Sequence, residues 1–91
     1  MATNFTNQKA SQSLRGQAVL VTLNSSDAGN LYKVTKGALC TNNSSGKTGT
    51  VATVNVYGNS FWVSPIQPDR TFESSGTYGY LAANETVIVN V

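Results

Sequence analysis

Short apolar runs, several of them alternating with polar residues, recur along the chain between clusters of Asn, Ser, Thr and Gly. This is the rhythm of strands, which put successive side chains on opposite faces, rather than of helices. Residues 17–23 are rich in Val, Leu and Thr and are closed by the turn-forming cluster 24–30, so they predict a strand and then a turn. Residues 31–35 alternate in the manner of a further strand. Residues 38–40 add a short apolar piece before a polar loop at 41–46.

The middle of the chain carries the clearest signal. Residues 50–56 and 61–63 read as two strands joined at Gly58-Asn59, a pair that suits a two-residue type I′ or II′ connection. In the second strand Phe61 and Val63 share one face and Trp62 and Ser64 the other. Pro65 has no amide to donate, so the strand must end there or lie at a sheet edge. Residues 65–80 hold two prolines, two glycines and no sustained period, and predict a long irregular connection of the kind that is functional or orders against a partner. Residues 86–91 set Val87, Val89 and Val91 on one face of a last strand. The core is expected to consist of Val19, Val21, Val54, Val56, Phe61, Val63, Val87 and Val89.

Residues 1–16 look different. They are polar, with Phe5 and Leu14 as the large apolar side chains, and cannot bury enough alone to order themselves. They read either as a frayed terminus or as an arm that orders against another subunit through Phe5; a short helix at 9–15 has weak support. The expectation is an all-β chain, a small antiparallel β-barrel or sandwich, with an extended N-terminal arm at 1–16 and a single β domain at 17–91.

Composition narrows the chemistry. Only 11% of the 91 residues are charged and there is no histidine, against roughly 25% charged in ordinary domains. The net charge of +2 comes from dispersed residues and makes no clustered basic footprint for nucleic acid. No run approaches the ~20 apolar residues of a membrane span, and no secretory leader precedes the first strand, so synthesis in a cytosol is expected and the Asn-X-Ser/Thr matches read as products of composition. Cys40 has no partner for a disulfide and reads as a small buried hydrophobe. No cofactor or metal site is expected.

Two apparent motifs fail. Gly46-Lys47-Thr48 has the end of a phosphate-binding loop, but the glycine required five residues earlier is Thr41. Asp69 and Glu73 would make a carboxylate pair on a helix, yet Pro65, Pro68 and Gly76 oppose a helix there. Without histidine a Ser or Cys nucleophile lacks its commonest base, so the chain is read as a binding protein and not an enzyme.

Tyr32, Tyr57, Phe61, Trp62, Phe72, Tyr78 and Tyr80 are its large contact makers. Trp62 is open to three readings: cover for a barrel end, a contact with another subunit, or a stacking platform for sugar. Tyr78 and Tyr80 fit a half-wet boundary or a partly buried structural role.

The stretch Tyr57-Gly58-Asn59-Ser60-Phe61-Trp62-Val63-Ser64-Pro65-Ile66-Gln67-Pro68, continued by Tyr80-Leu81-Ala82-Ala83-Asn84-Glu85-Thr86-Val87-Ile88-Val89, resembles the small decoration, or cement, proteins of tailed-phage capsids, especially phages of aquatic and cyanobacterial hosts. The resemblance covers the C-terminal half of the chain. It implies a β-rich subunit on the capsid exterior of the virion, commonly a homotrimer, bridging major capsid proteins. The candidate interface residues are then Phe5, Trp62, Tyr78 and Tyr80, with the chain itself and the major capsid protein as partners and neither nucleic acid nor membrane among them. The rival is a carbohydrate-binding or adhesive module built on Trp62, Tyr57 and Tyr32. A small barrel for single-stranded nucleic acid has the aromatics but too little positive charge.

Overall fold

Val19 and Val21, Phe61 and Val63, and Val87 and Val89 are each two residues apart, and all six are buried on one side of their strands. The computed structural model describes residues 1–90, so the expectation for Val91 lies outside the described residues. The strands are β1 (Ala2–Thr6), β2 (Ser11–Gln12), β3 (Val19–Thr22), β4 (Leu39–Asn42), β5 (Thr48–Asn55), β6 (Ser60–Pro65), β7 (Tyr80–Leu81) and β8 (Thr86–Asn90). A single helical turn, α1 (Ser25–Ala28), and a 3-10 turn at Leu31–Lys33 follow β3.

Six strands make one antiparallel sheet in the order β1-β8-β4-β5-β6-β3, and β2 pairs with β7 in a second sheet of two strands. The fold is all-β, as the alternation predicts. The large sheet is not a closed barrel, but its two edges meet at one point. Asn7, just past β1, bridges to Leu23, just past β3, and the Gln8 N–H donates to the Thr22 carbonyl at 2.7 Å. Beyond that point α1 stands against β1. Asn24 caps it by accepting from the Asp27 N–H at 2.8 Å, and the Asp27 carboxylate accepts from the Thr6 N–H at 2.7 Å.

The core is a single cluster running from Phe5 on β1 to Val89 on β8. Val51 belongs to it and Val54, three positions further on, packs against it half-buried, although strict alternation would put the two on opposite faces. A bulge explains this: the register shifts between Val51 and Thr53, so Val51 faces Val63 and Val54 faces Phe61. Val56 lies past the end of β5, in the loop to β6, and is 62% exposed, which corrects its expected place in the core.

Three local expectations are also corrected. The β5–β6 connection is not a two-residue turn, because Asn55 pairs with Ser60 and residues 56–59 form a four-residue loop. Asn59, not Gly58, takes the left-handed conformation there, with φ of 49°. Residues 31–35 do not form a strand. Leu31 and Val34 are buried together, a spacing of three that a 3-10 turn places on one side. No helix forms at 9–15, where β2 instead pairs with β7.

The largest correction concerns residues 1–16, which are neither a frayed end nor an arm separate from a 17–91 domain. β1 is paired along its whole length with β8. Asn7 is fully buried, and its side chain donates to the Lys9 and Ala82 carbonyls, both at 2.9 Å, and accepts from the Thr22 N–H at 3.1 Å. Ser13 accepts from the Phe72 N–H at 2.7 Å. The segment orders through main-chain and side-chain hydrogen bonds together with the single buried ring of Phe5.

The long connection at 66–79 is irregular as expected, yet it is anchored within its own chain. Phe72 is fully buried, and the buried Asn42 amide donates to the Phe72 carbonyl at 3.3 Å and to Ser74 Oγ at 3.2 Å.

Candidate functional site

Side chains that leave the sheet on the side opposite Phe61 and Val63 form the outer surface, and Trp62 is the largest of them. Its cross-strand neighbours are Leu20 on β3 and Thr53 on β5, and it remains 40% exposed. On this face it covers no barrel end. β2 is held beside β3 by the Leu20 N–H, which donates to Ser11 Oγ at 3.2 Å, and Gln12 of β2 sits opposite Tyr80 of β7. Trp62 and Leu20 thus stand side by side on the large sheet, and Gln12 and Tyr80 side by side on the small one. Tyr80 is half-exposed and Tyr78, two residues before it, is 90% exposed.

Phe5 does not belong to this surface. It is 1% exposed and packs inside its own chain, so its expected reach toward a neighbour is corrected. It is the fourth residue of β1, opposite the buried Val87, and that register turns it inward. Tyr57 at the tip of the β5–β6 loop and Tyr32 in the 3-10 turn are both exposed, the latter with Lys33 Nζ 5.8 Å from its ring centroid.

A second feature was not legible in the sequence. A cleft of about 570 Å³ opens between the β4–β5 loop and the 66–73 segment, with Arg15, Lys47, Arg70, Asp69 and Glu73 on its walls. Lys47 Nζ lies 2.8 Å from Glu73 Oε1 and 3.3 Å from Thr71 Oγ1, while Glu73 Oε2 accepts from the Gly79 N–H at 2.6 Å. The hydrogen bond from Lys47, then that from Gly79, hold the Glu73 carboxyl below its ordinary range. A general acid needs the opposite shift, so Glu73 is unsuited to the proton-donating half of a carboxylate pair with Asp69. Lys47, read in the sequence as the end of a failed phosphate loop, serves here as the partner of Glu73.

Cys40 is buried on β4, and burial pushes its thiol up to about 12, far from the thiolate a nucleophile needs. Among the described residues no three His, Cys, Asp or Glu side chains gather as a metal site, and no buried side-chain polar atom lacks a hydrogen bond. Arg15 and Arg70 were not singled out in the sequence as site residues. The segments that meet at the cleft are far apart in the chain, and no spacing announces them.

No protein-family model, no curated protein and no solved structure matches this chain.

Proposed function

We propose that this chain is a viral structural protein that decorates and cements the outside of a tailed-phage capsid, acting as a homotrimer that bridges major capsid proteins. The observation that carries the reading is the exposure of Trp62, Tyr78 and Tyr80 on a surface poor in charge. Exposed Trp and Tyr are the side chains that dominate protein interfaces, since each offers a large contact area with few rotatable bonds. Short Asn, Ser and Thr side chains around them hydrogen-bond with little loss of rotamer freedom. The resemblance of residues 57–68 and 80–89 to cement proteins supplies the capsid as the partner. A protein that binds only the assembled shell stabilises it by mass action, and repeated copies multiply the effect without any catalytic group.

The test is binding to expanded capsids of the source phage, read by cosedimentation and by the rise in capsid melting temperature. Binding that is lost in Trp62→Ala, while the isolated variant keeps its fold, supports the reading. A wild-type protein that ignores capsids but binds a glycan array through Trp62 would replace it with the carbohydrate-binding module. Light scattering on the free protein tests the trimer, and a monomer at tens of micromolar would overturn it.

A further inference from the structure

The cleft beside β5 holds an excess of positive charge that its own residues do not neutralise. Three cations, Arg15, Lys47 and Arg70, face two carboxylates, Asp69 and Glu73. Both Glu73 oxygens are already engaged, one by Lys47 and one by the Gly79 N–H. Asp69 lies 3.8 Å from Arg70 Nε, an exposed and long ion pair, and the same Nε donates to Gln67 Oε1 at 3.3 Å. The Arg15 guanidinium, exposed on the cleft wall, has neither a hydrogen bond nor an ion pair among the described residues. Its five N–H groups form a planar fork that matches a carboxylate.

We propose that this cleft docks an acidic polypeptide segment of the partner, with Arg15 and Arg70 taking its carboxylates and Ile66 taking an adjoining apolar side chain. The inference rests on the capsid reading for the identity of the partner, and on the cleft alone for the chemistry. Ile66 is 52% exposed on the same wall, an apolar contact that a bare anion would not use. Asp69 and Glu73 on the wall repel the continuous charge of a nucleic acid, whereas carboxylates spaced along a peptide can avoid them. The volume of about 570 Å³ falls within the roughly 300–1,000 Å³ of sites that enclose a ligand. The Lys47–Glu73 pair and the Gly79 N–H keep the 66–73 wall in place before anything binds, so little ordering remains for the docking event.

The experiment titrates the intact protein with an end-blocked octapeptide alternating glutamate and leucine, followed by amide and arginine side-chain NMR shifts. A glutamine-for-glutamate peptide and a short sulfated oligosaccharide serve as comparison probes. The expected result is shifts centred on Arg15, Gly46, Ile66 and Arg70 that the glutamine peptide does not produce and that weaken with salt. Arg15→Gln should cut the affinity about ten-fold, the size of one charge-assisted contact. Arg15→Lys should recover only part of it, because the charge returns without the fork. Arg15 is exposed with no side-chain partner, so both variants should melt with the wild type.

Equal shifts from the glutamine peptide, shifts elsewhere on the surface, or tighter binding of the sulfated oligosaccharide at these residues would each overturn the proposal. Capsid cosedimentation separates the two claims. A double variant, Arg15→Gln with Arg70→Gln, that still binds capsids at full strength overturns the cleft while leaving the decoration reading standing. A wild type that binds the glutamate peptide but no capsid overturns the decoration reading and keeps the acidic-peptide chemistry.

Discussion

Phe5 and Phe61 meet edge to face in the middle of the core, with ring centroids 5.7 Å apart and planes at 69°. One ring comes from the first strand and the other from the sixth, so the contact joins β1 near one sheet edge to β6 near the other. Truncating either ring to alanine should cost about 3–5 kcal/mol, because both are buried and a cavity remains. Milder changes, Phe5→Leu and Phe61→Leu, should keep the fold and allow a double-mutant cycle by urea unfolding. A coupling of roughly 0.5–1.5 kcal/mol is expected; additive losses would show that the rings contribute only by being dry.

Asn7 gives a sharper case, since its amide donates twice to carbonyls and its oxygen accepts once from the Thr22 N–H. Asn7→Asp keeps the shape but turns a carboxylate oxygen toward the Lys9 and Ala82 carbonyls. The loss at neutral pH should reach about 2–4 kcal/mol, the combined cost of buried groups left unpaired. Protonation restores a donor, so the folded-state pKa of the new carboxyl is raised. The deficit relative to wild type should therefore shrink as pH falls, read as the difference between the two denaturation midpoints.

Glu73 titrates in the opposite sense. Its carboxyl is held low by Lys47 and the Gly79 N–H, so the stability it contributes is present above its ordinary value and is lost as pH falls through the lower folded value. The pair is partly exposed, with side-chain exposures of 39% and 22% for Lys47 and Glu73, and amounts to about 1 kcal/mol or less. Wild type should melt above Glu73→Gln at pH 7, and the two should converge on acidification below the carboxylate range. Parallel curves across that window would mean that the pair does not staple the 66–79 segment.

Cys40 should be silent toward thiol reagents in the native protein and react at the ordinary rate in denaturant. Its burial and its thiol of about 12 both oppose thiolate formation. Native labelling that tracks global unfolding across a denaturant series confirms this. Labelling that proceeds without unfolding would show that β4 opens locally.

Strand identity was largely readable because its signal is local. Val19 with Val21, and Val87 with Val89, announce their strands and their inward faces without reference to anything else in the chain. What the chain did not announce depends on distant partners. Phe5 is a lone aromatic in a polar stretch, and only its register against Val87 makes it core. Val51 and Val54 share a face only through the bulge that the pairing with β6 imposes. The exposed Trp62, Tyr78 and Tyr80 could be named from residue type, whereas the cleft required Arg15, Lys47 and Glu73 to be brought together from three separate segments.

The pairing of Ala2 with Asn90 places the first and last described strands side by side. No shortened version of the polypeptide lacking its final strand can therefore keep Phe5 dry or give β1 a neighbour. The hydrophobic interior thus closes only when β1 and β8, far apart in sequence, find each other, a long-range encounter of the kind that slows folding.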